Sequence, residues 1–223
     1  MRLNKFISET GMCSRRVADA WIEQRRVKVN GKVAELGTQV NEDDEVHVNG
    51  RIIGARKKQH VYIALNKPPG ITCTTERHIP GNIIDFIKHK ERIFPIGRLD
   101  KESEGLILLT SNGNIVNEIL RSENNHEKEY IVSVDKPVTD EFLAKMERGV
   151  KLPELNVTTK RCKVRRVNPK TFRIILTQGL NRQIRRMFYE LSYEVEKLVR
   201  VRVGHLRLAH DRWIGKAGRR GVC

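Results

Sequence analysis

From Val61 onward, short apolar runs recur between helical stretches: VYIAL, NIIDFI, GLILLT, YIVSV, FRIILT, then a helical pattern around residues 182–191. Runs of five or six apolar, often β-branched residues bounded by Gly, Pro and Asn are too short for a coiled coil and far short of the roughly 20 residues that span a bilayer. They must pair with one another. Mixed with helices in this way, they imply an α+β domain on a mixed, largely antiparallel sheet with flanking helices. The chain has 223 residues, enough for one large or two modest domains with a proper core.

The first 50 residues follow a different pattern, that of a small helical and β module. Leu3, Phe6 and Ile7 share one helical face closed by Gly11, and Ser14 is suited to cap a second helix carrying Val17, Ala18, Trp21 and Ile22. Val27 and Val29 lead into Asn30-Gly31, and Val46 and Val48 into Asn49-Gly50, both hairpin-type turns. Arg15 and Arg16 open the second helix, and Arg25 and Arg26 follow it. Basic helix ends beside a small sheet suit the phosphate backbone of folded RNA, although a solvated helix face accounts for them equally well. Residues 51–60 (RIIGARKKQH) read as a basic linker.

Charge narrows the partner. The net charge is +16, and it is segregated: residues 1–60 carry +4, residues 61–157 carry −2 and residues 158–223 carry +14. Solubility alone does not call for such segregation, so a polyanion is the expected partner. Aromatic residues make up only 5%, which argues against a broad base-stacking platform. Cys13, Cys73, Cys162 and Cys223 show no C-x-x-C spacing and no zinc-ligand pattern, so neither a metal nor a disulfide is expected. The opening MRLNKFISETG lacks the apolar stretch of a secretory signal, which makes a cytoplasmic address the expectation. Dinucleotide, P-loop and zinc-deaminase fingerprints are absent from the sequence.

Two segments are candidates for chemistry. In IGRLDKESEGLILLTSNG (96–113), Asp100 lies in a polar loop before an apolar strand, between Gly97 and Gly105, which allow sharp turns. A carboxylate at the mouth of a sheet can act as nucleophile or base, yet a loop aspartate is more often a cap or the partner of a nearby arginine such as Arg98. In LTQGLNRQIRRMFYEL (176–191), Asn181 is expected to cap a helix whose Ile184, Met187, Phe188 and Leu191 form a buried stripe. Arg182, Arg185 and Arg186 form a neighbouring stripe, suited to pairing with a carboxylate, holding phosphate, or simply facing water. LNKPPGITCTT (65–75) offers Lys67 as a phosphate contact, and HEKEYIVSV (126–134) places Tyr130 at the head of a strand.

GRLDKESEGLILLTSNG resembles the catalytic signature of the RsuA/RluF branch of the pseudouridine synthases. LNKPPGITCTT, HEKEY, QGLNRQIRRM and KLVRVRVGHLRL resemble that branch's other motifs, in the same order, and most nearly those of its RluF type, which acts on large-subunit rRNA. The first 50 residues resemble the alpha-L RNA-binding module of small-subunit ribosomal protein four. The resemblance implies a catalytic domain over 61–208 that isomerises uridine in structured rRNA, with tRNA a further candidate, and needs no cofactor. It implies that Asp100 attacks or deprotonates the ribose, that Tyr130 stacks on the base and takes the C5 proton, that Arg185 pairs with Asp100, and that Leu198 packs beneath the tyrosine. Arg15, Arg16, Arg25, Arg26, Lys67, Arg98, Arg182 and Arg186 are the expected RNA contacts, and a monomer is the expected state. The family's terminal G-x-W-R-x-L stretch is replaced here by AHDRWIGKAGRRGVC, so residues 209–223 read as a basic tail. An RNA-binding assembly factor without activity is the competing reading. A glycosidic hydrolase ranks third, because it needs a second carboxylate and Glu102 and Glu104 are expected to face solvent.

Overall fold

The computed structural model describes residues 1–41, 43–54, 60–120 and 126–208. The chain divides into two compact units, Met1–Val61 with Lys90–Arg92 and Ser111–Gly113, and Tyr62–His89 with Ile93–Thr110 and everything from Asn114 onward.

In the first unit, helices α1 (Leu3–Glu9) and α2 (Arg15–Glu23) precede strands β1 (Val27–Val29), β2 (Lys32–Val33), β3 (Val46–Val48) and β4 (Arg51–Ile53). The Ser14 hydroxyl accepts from the Val17 N–H at 3.2 Å, the cap expected of it. The strands form one antiparallel sheet in the order β2-β1-β3-β4. Both of its Asn-Gly turns have positive φ at each residue, 49° and 78° at Asn30-Gly31, then 51° and 76° at Asn49-Gly50. That twist matches the strands it joins. Leu3, Phe6, Ile7 and Ile22 from the helices meet Val27, Val46, Val48 and Ile53 from the sheet. Burying each such side chain stabilises by roughly 1.5–3 kcal/mol. Residues 51–60 are therefore not simply a linker. The Asn49-Gly50 turn folds Arg51–Ile53 back as β4, and Ile53 enters the core. The basic run Arg56–Lys58 and the tail 209–223 lie outside the described residues.

The second unit carries β5 (Tyr62–Lys67), α3 (Ile83–Ile87), β6 (Phe94–Ile96), β7 (Glu104–Thr110), β8 (Lys128–Val134) and α5 (Asp140–Arg148), with α4 (Gly113–Leu120) starting where the first unit's last segment ends. There follow β9 (Lys151–Leu152), β10 (Val157–Thr158), β11 (Lys163–Asn168), β12 (Thr171–Leu176), α6 (Gln183–Glu190), β13 (Val195–Val203) and β14 (Leu206–Arg207). The main sheet runs β11-β12-β8-β13-β7-β5, with β6 on β7 and β14 on β13, and β9 pairs only with β10. Every pairing in the main sheet is antiparallel except β13 with β7, where Val199 and Arg200 lie beside Glu104 and Gly105. Gly105 is a residue of this seam rather than of a turn. Its φ is +103°, and a Cβ there would fall 2.3 Å from the Arg200 carbonyl oxygen, so only glycine lets the two strands close.

Two bulges interrupt β13 where it meets β8, between Val195 and Lys197 and between Arg200 and Arg202. In a regular strand Arg200 and Arg202 would share a face. The extra residue sets Arg200 opposite Tyr130 and Arg202 opposite Glu129, sending the two arginines to opposite sides of the sheet. On the Tyr130 side, α5 and α6 bury Phe142, Ile184, Met187 and Phe188 against Val132, Val134, Phe172, Ile174 and Leu198. The Phe172 and Phe188 rings stack at 5.0 Å, with Phe142 tilted against Phe188 at 5.2 Å. Among the described residues no helix is long and apolar enough to cross a membrane. Cys13, Cys73 and Cys162 are free thiols, and burial followed by the Glu147 carboxylate pushes Cys162 up to about 12.

Candidate active site

A cleft of about 1190 Å³ opens on the Tyr130 side of the second unit. Its walls include the 72–75 segment, the 94–102 segment, Tyr130, Arg200 and the 177–182 loop. Asp100 lies in the loop between β6 and β7, its side chain 26% exposed. That loop is held from three directions. Lys67, at the end of β5, is fully buried, and its ammonium donates to the carbonyls of Pro68 (2.9 Å), Ile71 (2.9 Å) and Lys101 (3.2 Å). Arg200, also buried, donates through Nε to the Leu106 carbonyl (2.7 Å) and through a terminal nitrogen to that of Arg98 (3.4 Å). The Leu99 N–H reaches the Cys73 sulfur at 3.4 Å.

Asp100 and Arg185, far apart in the chain, come together. Arg185 Nε is 3.8 Å from Asp100 Oδ2, while another nitrogen of the guanidinium donates to the Val195 carbonyl at 3.0 Å. The stripe of α6 explains this placement: Ile184, Met187 and Phe188 enter the core and set Arg185 on the flank beside the loop. Tyr130 lines the same cleft and packs on the core that contains Leu198, which lies diagonally from it across β8 and β13. Arg185 and Leu198 back the cleft rather than line it.

Several expected RNA contacts differ in placement. Lys67 is no phosphate contact: with the ammonium enclosed by three carbonyls, it pins the Asp100 loop. Burial pushes its pKa down, against Cys73, Glu102 and Asp100, which pull it up. Arg186 pairs with Glu154, donates to the Asn181 carbonyl and does not line the cleft. Arg98 and Arg182 do line the cleft, and Arg182 stands 3.6 Å from Glu102. The Glu102 carboxyl is held below its ordinary value by its own backbone N–H first, against burial, with Arg182, Arg185 and Lys101 adding to the lowering. Glu104 is not a free surface carboxylate either, since it pairs with Lys197 at 2.8 Å. Asn181 does not cap α6; Arg182 takes the left-handed cap position, and the Gln183 side chain accepts from the Leu180 N–H at 3.0 Å. In the first unit, Arg15, Arg16, Arg25 and Arg26 are all exposed, and Arg26 also donates to Asn49 and Gln24 and stacks over Trp21.

Four cleft cations escaped the reading of the sequence, Lys101, Lys128, Lys160 and Arg200. Burial, followed by the Arg200 charge, pushes the Lys128 pKa down. Strand period was the available signal for two of them: Lys128 lies two residues before Tyr130 and Arg200 two after Leu198, so each shares a face with a residue already singled out. Among the described residues no group of three His, Cys, Asp or Glu side chains is gathered to hold a metal ion.

The chain has counterparts among known proteins. The family described as RNA pseudouridylate synthase matches residues 61–190, and the S4 domain matches residues 1–46. The dual-specificity RNA pseudouridine synthase RluF of Escherichia coli K12 is 56% identical over 210 residues, covering 94% of this chain and 72% of the relative. Ribosomal large subunit pseudouridine synthase B of Bacillus subtilis is 36% identical, covering 93% and 87%. A crystal structure of a pseudouridylate synthase superposes with a TM-score of 0.69 at 27% identity, covering 98% of this chain and 94% of that one. Sequence and fold thus agree, and the chain belongs to the RNA pseudouridine synthases, as an RluF-type enzyme with an N-terminal S4 module.

Proposed function

We propose that the enzyme isomerises a uridine in structured large-subunit rRNA, with Asp100 as the essential group. The observation that carries this reading is the cleft itself, where Asp100, backed by Arg185 at 3.8 Å, shares one cavity with Tyr130. The carboxylate attacks or deprotonates the ribose, and the N1–C1′ glycosidic bond breaks. The uracil turns within the cleft and rejoins C1′ through C5, which displaces the Asp100 oxygen from C1′ or, on the deprotonation route, is accompanied by return of the proton from Asp100 to the ribose. The C5 proton leaves to Tyr130 and a proton returns at N1, so product and substrate are isomers and the balance needs no redox partner. Leu198 supports the tyrosine from the core. A base inside a helix must first be unstacked, at a cost of a few kcal/mol, which favours loops and bulges as targets.

Large-subunit rRNA is the proposed substrate because one relative bears that substrate in its name. The RluF relatives are called dual-specificity enzymes, and a tRNA is the second RNA we propose to test. Arg15, Arg16 and Arg25 of the S4 module and Arg98 and Arg182 at the cleft are the proposed phosphate contacts.

The experiment is tritium release from unmodified rRNA labelled at uracil C5, with wild type beside Asp100→Asn. Release by wild type alone, with RNA affinity nearly equal in the two proteins, is the expected result. Normal turnover by Asp100→Asn would remove the aspartate from the mechanism. Salt-sensitive binding without release from any rRNA or tRNA would return the chain to an RNA-binding role.

A further inference from the structure

The sheet face opposite Tyr130 has no role in the cleft, yet cations from four strands gather on it. Lys163 and Arg165 on β11, Arg173 on β12, Arg202 on β13 and Arg207 on β14 are brought there by the pairings Arg165↔Arg173, Arg173↔Ile131, Arg202↔Glu129 and Arg202↔Arg207, with β8 running through the middle. At its centre is Glu129, buried to 3% exposure, which holds Arg173 at 2.6 Å, Arg202 at 2.7 Å and Arg207 at 3.9 Å. Glu127 holds Arg202 and Lys163, at 2.8 and 3.1 Å. Five cations meet two carboxylates.

We propose that this face is a second RNA-docking surface, taking phosphates of the rRNA that flank the loop held in the cleft. The proposal rests on the reading of structured rRNA as substrate. Charge on an edge strand guards against aggregation, which accounts for Lys163 and Arg165 on β11. It does not account for three guanidiniums on inner and adjoining strands, converging on one buried carboxylate. That carboxylate fixes the guanidinium orientations, while Arg173 and Arg207 stay 44% and 67% exposed with donors free to turn outward. At about 4.8 Å per strand, the band from β11 to β14 is roughly 19 Å wide, enough to meet several phosphates. An orienting carboxylate beneath an arginine fork is the arrangement that makes phosphate recognition geometric rather than diffuse.

The test compares wild type with the double variant Arg165→Gln/Arg207→Gln, which spares the buried centre of the network. Affinity is measured against salt for a long unmodified rRNA domain and for short hairpins cut from it, too small to reach both faces of the sheet. For the long RNA, the slope of log affinity against log salt should be shallower by about two in the variant, one for each cation removed. The hairpins should show one slope for both proteins. Equal slopes on the long RNA would overturn the proposal. So would an equal loss on the hairpins, which would trace the effect to the cleft or to folding. Tritium release by the wild type is scored separately, so its absence would overturn the isomerase reading while the slope comparison still judges the surface.

Discussion

Arg185 Nε stands 3.8 Å from Asp100 Oδ2, near enough to attract and too far to donate. That nitrogen is buried and has no hydrogen-bond acceptor among the described residues, while the other arm of the same guanidinium is fixed on the Val195 carbonyl. One arm positions the side chain, and the other is held in reserve beside the carboxylate. Catalytic hydrogen bonds are commonly long in a free enzyme and tighten around substrate.

Arg185→Lys keeps the charge and loses the planar fork. Loss of one such charge-assisted bond, worth roughly 1–3 kcal/mol, should slow single-turnover tritium release by about 10- to 100-fold and leave RNA affinity unchanged. An undiminished rate would mean that charge alone suffices at this position.

Lys67→Met fits the space and removes the donor. The carbonyls of Pro68, Ile71 and Lys101 are then unmet in a buried site, at roughly 1–3 kcal/mol for each that water cannot reach. The urea midpoint should fall, and turnover should fall further than stability explains, because Lys101 is the neighbour of Asp100. A variant that is merely less stable would reduce Lys67 to a core residue.

Gly105→Ala sets a methyl group against the Arg200 carbonyl in a backbone region that alanine avoids. The strain alone costs about 1–3 kcal/mol, and the seam between β7 and β13 must open to relieve the clash. Denaturant midpoints should show a loss at or above that range; a loss of a few tenths would mean that the strands slide apart freely.

Acid should weaken the basic face. Burial pushes the Glu129 pKa up, but the Arg202 hydrogen bond and the charges of Arg173, Arg202 and Arg207 outweigh it, and the net shift is downward from the ordinary value of 4.5. A carboxyl with a depressed folded pKa gives stability that is complete above the unfolded value and is lost as pH falls through the folded one. Wild-type urea midpoints should therefore drop below pH 4.5. Glu129→Gln should start lower at neutral pH and show a flatter acid limb, with the remaining slope owed to Glu127, which Arg202 and Lys163 depress first by hydrogen bonds.

Local rules carried much of this structure. Ser14 caps α2, both Asn-Gly pairs make hairpins, and Ile184, Met187 and Phe188 are buried as their spacing requires, because each rests on neighbours within a few residues. Failures came where distant partners decide. Lys67 reads as a surface cation until the Asp100 loop closes over it, and Arg186 reads as free until Glu154 arrives. Arg51–Ile53 read as linker because the basic run after them masks an apolar pair that completes a sheet. Arg200 and Arg202 look equivalent in VRVRV, and only the bulge on β13 separates a cleft residue from one on the basic face.

The parallel seam has a consequence for the order in which the enzyme is built. β13 sits between β8 and β7, and its Arg200 grips the carbonyl of Leu106, 94 residues earlier in the chain. Pairings of such sequence separation close late, since the intervening segment must first lose its freedom. As a nascent chain leaves the ribosome, the β6–β7 hairpin and its aspartate emerge well before the strand that clamps them. The clamp on that loop is therefore complete only once β13 has been made, and a chain stalled upstream of β13 carries an aspartate loop that Arg200 does not yet hold.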